Sequence, residues 1–180
     1  MYGTVALAAA GLCRDAAAQA ADAASRARPE PGDRLVIAGA EDDRRPITQD
    51  DLTVGGPQLL AWAMQPGTGT VRSASRLNQV LLIRLDPKDL DPATLQRSAN
   101  GIVAYSAVCT HQQCPVTEWK QEKAALHCAC HGSEFDARNG AKVVGGPAPR
   151  PLAALPVRLE DGVVVVGGRF LGRVGAPQAG

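Results

Sequence analysis

Two short segments constrain everything else: C-T-H-Q-Q-C at residues 109–114 and C-A-C-H-G-S at residues 128–133. Between them they hold four of the chain's five cysteines and two of its three histidines. Each offers one Cys and one His at metal-ligand spacing, plus one further Cys. That suffices for a site of two thiolates and two imidazoles, with a disulfide between the leftover pair. The fold must therefore present two loops to one another.

The bulk properties narrow the field. A chain of 180 residues with 45% hydrophobic residues can bury a core without a metal to hold it together. A metal site here is thus functional before it is structural. The formal net charge of +1 leaves no basic face for nucleic acid, and no long Lys/Arg run is present.

Residues 1–20 read as a truncated export signal or anchor remnant, with a plain Ala-rich helix as the alternative. Thr4 to Cys13 is apolar and stops at Arg14 and Asp15, short of the roughly 20 residues a membrane span needs. Ala18-Gln19-Ala20 resembles a cleavage site. No Lys or Arg precedes the apolar run, so the charged part, a twin-arginine pair included, is expected upstream. Cys13 belongs to this leader, because Leu12 stands where a small residue precedes a lipidated cysteine. Residues 21–33, rich in Ala, charge and Pro, read as a linker. The folded domain is expected over 34–172, with a flexible tail at 173–180.

From Arg34 onward, short strand-like runs alternate with turn signals. Leu35–Ala38, Leu59–Met64 after Gly-Gly-Pro, and above all Gln79–Leu85 have strand composition. Asp86–Asn100 reads as a loop with one helical turn. Gly101–Val108 and Ala124–Cys128 lead into the two Cys-His segments. Leu155–Glu160, Asp161-Gly162 and Val163–Val166 spell a hairpin with an Asp-Gly turn. Many short strands and almost no helical period predict an all-β sandwich or barrel.

Which centre the segments build is a choice among chemistries. Structural zinc accepts two Cys and two His, but its modules usually space them C-x2-4-C and H-x3-5-H. Thiol redox chemistry wants C-x-x-C near a βαβ unit, and neither is present. A [2Fe–2S] cluster with two thiolates on one iron and two imidazoles on the other accounts for all six residues. The two segments resemble the cluster-binding loops of Rieske proteins, and Gly145-Gly146-Pro147-Ala148-Pro149 resembles the proline loop that covers the cluster in that family.

The resemblance covers mainly residues 105–150. It implies an antiparallel β sandwich with a small cluster-binding subdomain, and one [2Fe–2S] cluster per chain. Carried over, Cys109 and Cys128 would hold the inner iron and His111 and His131 the outer one. Cys114 and Cys130 would form the disulfide of the branch found in cytochrome bc complexes and exported relatives. Ser133 matches a serine that donates to a bridging sulfide. Phe135 stands where high-potential members carry a tyrosine, which implies a lower potential here. Gln112 and Gln113 replace the Leu-Gly usual in quinol-oxidising members.

The function expected first is one-electron transfer as the small subunit of a periplasmic oxidoreductase, resembling that of arsenite oxidase. The alternative is the Rieske subunit of a cytochrome bc complex, and structural zinc stands third. The expected partner is a larger redox subunit, a cytochrome b or a c-type cytochrome, with no substrate site on this chain. Membrane association would come through the N-terminus or that partner. His127 reads as a partly exposed strand residue.

Overall fold

The computed structural model describes residues 18–40 and 43–176. In chain order the strands are Arg34–Ile37 (β1), Leu59–Met64 (β2), Val80–Arg84 (β3), Ile102–Ser106 (β4), Glu118–Lys120 (β5), Ala125–Cys128 (β6), Ser133–Asp136 (β7), Lys142–Gly145 (β8), Val157–Glu160 (β9) and Val163–Val166 (β10). They form two antiparallel sheets, of order β4-β3-β2-β1-β10-β9 and β5-β6-β7-β8. The all-β expectation holds. The runs at Leu59–Met64, Gln79–Leu85 and Ala124–Cys128 each contain a strand.

Strand β3 lacks polar alternation because both of its faces are covered. Val80 and Leu82 enter one core with Leu35, Ala61 and Val164. Leu81 and Ile83 enter another with Tyr105, Leu126 and Phe135. The neighbouring β4 divides the same way, Ile102 and Ala104 to the first core, Val103 and Tyr105 to the second. The second core joins the two sheets. At its centre the Tyr105 hydroxyl donates to the Ala137 carbonyl at 2.8 Å, and burial pushes that phenol far above its ordinary pKa.

The larger sheet curls closed. Ser106 N–H donates to Ala153 O at 2.8 Å and Leu155 N–H to Ala104 O at 2.9 Å. Residues 153–155 thus pair with the outer edge of β4 and run on into β9, the last strand at the other end. In the β9–β10 hairpin, Asp161 (φ 50°) and Gly162 (φ 81°) both take left-handed backbone, the turn that matches strand twist.

The segment read as a linker is structured. Residues 18–26 are helical. Asn78 donates through Nδ2 to the carbonyls of Ala27 (2.8 Å) and Arg26 (3.3 Å), and Arg28 donates to Leu77 O at 2.6 Å. Arg72 Nε meets Asp33 Oδ2 at 2.6 Å, with side chains only 6% and 4% exposed. These contacts fix residues 26–33 against the domain, where composition predicted a free linker. The export-signal reading falls on residues 1–17, outside the described residues, and on 18–20, which are helical.

The tail is fixed too, as far as Ala176. Arg150 donates to the carbonyls of Arg173 and Gly175, and Gly175 packs on Val108 and Gln113. Residues 177–180 lie outside the described residues. The run Asp86–Asn100 carries the short helix Pro92–Arg97, whose first turn is capped by Asp91 accepting from the Ala93 and Thr94 amides.

Candidate metal centre

The first Cys-His segment lies in the loop from β4 to β5. Val116 N–H donates to Ala107 O at 2.9 Å, Cys109 N–H to Cys114 O at 2.8 Å, and Gln113 N–H to Cys109 O at 3.0 Å. These bonds draw residues 109–114 into a tight turn. Gln113 closes it at φ 60°, the left-handed region that a glycine occupies with least cost. The second segment is the turn from β6 to β7. Cys128 and Ser133 are paired in register, and Gly132 N–H returns to Cys128 O at 3.0 Å.

The two turns meet. Cys114 and Cys130 are disulfide-bonded, with Cα atoms 6.4 Å apart. Cys109 and Cys128 are free, each 1% exposed. The rings of His111 and His131 stand edge to face with centroids 4.7 Å apart and planes at 88°. Cys128 Sγ lies within 4.8 Å of both disulfide sulfurs, but those two sulfurs are spent on each other. The thiol open to a metal beside Cys128 is Cys109.

The third wall is the run 145–149. Gly146 has φ +77°, and a Cβ there would stand 2.5 Å from Gly132 O and from Ser133 Cα. Only a glycine lets the backbone approach the second turn so closely. Ala148 is buried while Pro147 and Pro149 are exposed. The Thr110 hydroxyl donates to Arg150 O at 2.6 Å and ties the first turn to this wall. Sequence reasoning missed Thr110 and Arg150, because a hydroxyl bonded to a distant carbonyl leaves no mark in a sequence pattern.

The electrostatics suit a cation. Burial pushes the Cys128 thiol up and its neighbour Cys109 pushes the same way, while the backbone amides of Cys130 and His131 pull it down. A metal reverses the outcome, since a coordinating thiol is deprotonated outright. Among the described residues, His111 Nδ1 and Ser133 Oγ are buried without a hydrogen-bond partner. Natural proteins rarely leave such atoms unpaired. An imidazole nitrogen wants a metal or a donor, and a hydroxyl wants an acceptor. Zinc on four ligands would leave the Ser133 hydroxyl unpaired, whereas a cluster offers sulfides that accept hydrogen bonds. The residues fit a [2Fe–2S] group.

Phe135 is fully buried, two residues along β7 from Ser133 and so on the same face, opposite Leu126. His127 stands apart from the centre, its Nδ1 2.7 Å from Glu118 Oε2 on β5, as a partly exposed strand residue should. Gln112 is exposed.

An all-β domain with paired Cys-His turns, a disulfide between them and a proline-rich third wall defines an iron–sulfur protein of mixed thiolate and imidazole ligation. The Rieske [2Fe-2S] domain model matches residues 64–156; the chain belongs to that family and carries a Rieske-type [2Fe–2S] cluster. It is similar to the cytochrome bc1 complex Rieske iron-sulfur subunit of Mycobacterium tuberculosis, 34% identical over an alignment of 142 residues that covers 70% of this chain and 33% of the relative. It is also similar to the subunit of the same name from Streptomyces lividans, 35% identical over 121 residues, 64% of this chain and 69% of the relative. The chain thus spans about a third of the mycobacterial protein. Among solved structures, the cyanobacterial plasma membrane Rieske protein of Synechocystis aligns with TM-score 0.43 and 27% identity, over 66% of this chain and 93% of that one.

Proposed function

We propose that the chain is the Rieske subunit of a cytochrome bc complex, taking electrons from quinol and passing them to a c-type cytochrome. The observation that carries the electron-transfer reading is two buried free thiols and two edge-to-face imidazoles on a pair of turns joined by one disulfide. The cytochrome bc assignment is supported by the names of the relatives, which favour it over the periplasmic oxidoreductase subunit expected first.

When bound, the cluster supplies a one-electron couple whose potential is set by charge, hydrogen bonds and exposure. Cys109 and Cys128, both buried, would hold one iron as thiolates, and His111 and His131 would hold the other. His131 is exposed, so its ring edge is the surface a redox partner meets. Ser133 would donate its unpaired hydroxyl to the cluster, and the run Gly146-Pro147-Ala148-Pro149 would cover its third side. The Cys114–Cys130 bond holds the two turns at fixed separation. Structural disulfides persist in oxidising compartments, which supports a periplasmic location. Among the described residues no helix is long and apolar enough to cross a membrane.

The test is affinity purification of the full-length protein from membranes, followed by quinol:cytochrome c reductase assay. Co-purified b- and c-type haem, with activity abolished in His131→Ala, is the expected result. One observation favours the second reading: exposed Gln112, beside His111, gives a polar surface where quinol-oxidising members carry an apolar residue. A molybdopterin enzyme co-purifying without b-type haem would replace the cytochrome bc assignment with that reading.

A further inference from the structure

Away from the Cys-His turns, a half-open cavity of about 380 Å³ lies between the helix Pro92–Arg97, the β7–β8 turn and the segments 150–154 and 171–173. Four cationic side chains line it: Arg97, Lys142, Arg150 and Arg173. In a chain of net charge +1, that is a strong local concentration. Asp91 is the single carboxylate on the wall. It accepts from the Ala93 amide at 2.9 Å and from the Thr94 hydroxyl at 2.5 Å, and its charge, felt by Arg97, offsets one of the four cations. Among the described residues, none of the four cations makes an ion pair.

We propose that this cavity binds a small, multiply charged oxyanion: a phosphate group carried by a compact ester. The cations come from four separate stretches of chain that the fold brings to one cavity. A phosphate, with oxygens in several directions, suits that better than one planar carboxylate, and guanidinium groups pair with it through parallel N–H bonds. The floor is apolar, with Leu152 and Ala153 beneath and Leu171 at the edge, 48% exposed. It accommodates the carbon part of the ester, and the volume lies within the range of small-molecule sites.

Arg150 is fixed in the wall by its bonds to the carbonyls of Arg173 and Gly175, and its own carbonyl holds Thr110. A bound phosphate therefore sits one residue behind the first Cys-His turn, against the segment that braces it.

Isothermal titration calorimetry of the cluster-loaded chain with sodium pyrophosphate, at constant ionic strength, tests the site. One saturable site with Kd below about 1 mM is expected. Lys142→Gln and Arg173→Gln, both at exposed positions, should each weaken it about three- to tenfold. Arg158→Gln, at a residue paired with Glu160 on β9, should leave it unchanged. Sedimentation with phosphatidylglycerol vesicles, competed by pyrophosphate, would identify the phosphate as a lipid headgroup; pyrophosphate binding without vesicle capture would identify a soluble ester. The absence of saturable heat overturns the proposal, as does equal weakening by Arg158→Gln, which would reveal only diffuse attraction.

Discussion

Replacing Ser133 by alanine isolates the hydroxyl that the protein itself leaves unpaired. Ser133 is 0% exposed and its Oγ has no partner among the described residues, so neither water nor another side chain competes for its hydrogen. Reduction adds negative charge to the cluster, and a donor aimed at a sulfide stabilises that charge. If the differential is about 1–2 kcal/mol, the one-electron potential falls by roughly 40–90 mV in Ser133→Ala. The reciprocal change, Phe135→Tyr, adds a hydroxyl on the same face of β7 and should raise the potential by a similar amount. Ser133→Ala deletes no apolar atom, so no methylene-sized cavity opens and the fold should persist. Protein-film voltammetry gives the potentials, and the low-g EPR signal of a mixed-ligand cluster reports that the centre is intact. An unchanged potential in Ser133→Ala with that signal intact refutes the assignment of the hydroxyl.

Three other outcomes follow from the geometry. Cys114→Ala/Cys130→Ala removes a cross-link between residues 16 apart and should cost about 3 kcal/mol of unfolding free energy; denaturant titration in the absence of reductant measures it, and wild type treated with reductant should approach the double variant. Gly146→Ala forces a Cβ against the Gly132–Ser133 backbone at positive φ and should destabilise by about 2–5 kcal/mol, with loss of the visible absorption of the cluster. The Arg45 guanidinium, helped by the Thr48 amide, holds the Asp51 carboxyl well below the usual carboxylate range. Because that pKa is depressed in the folded state, the stabilisation is complete above the unfolded pKa of about 4 and lost as pH falls through the folded value. Urea titrations should show a constant gap between wild type and Asp51→Asn from pH 7 to about 5, closing in more acid solution.

The site was far more legible in the sequence than its supports. Cys-His spacing is local, so the two turns and the proline run announced themselves within 45 residues of chain. The Asp161-Gly162 turn and the apolar run at β3 were visible for the same reason, since turn chemistry and burial are written into neighbouring residues. Residues 21–33 misled because their anchors lie far along the chain: Asn78 takes the Arg26 and Ala27 carbonyls, Arg28 reaches the Leu77 carbonyl and Asp33 pairs with Arg72, and partners that distant leave no local pattern. The same holds for the tail, where Arg150 takes the carbonyls of Arg173 and Gly175. Closure of the larger sheet by residues 153–155 also escaped notice: Ala153 and Ala154 pair along β4 without the alternation that marks a strand.

The Cys114–Cys130 bond has a consequence for the order of assembly. Four cysteines allow three sets of two disulfides, and in the cluster-free chain Cys109 and Cys128 would compete as thiols for oxidation. Once iron and sulfide occupy Cys109 and Cys128, the four cysteines of the two turns have a single pairing left. Metal insertion ahead of oxidation thus makes Cys114–Cys130 the default cross-link among these four, while each of the three two-disulfide sets consumes Cys109 and Cys128 and excludes the cluster.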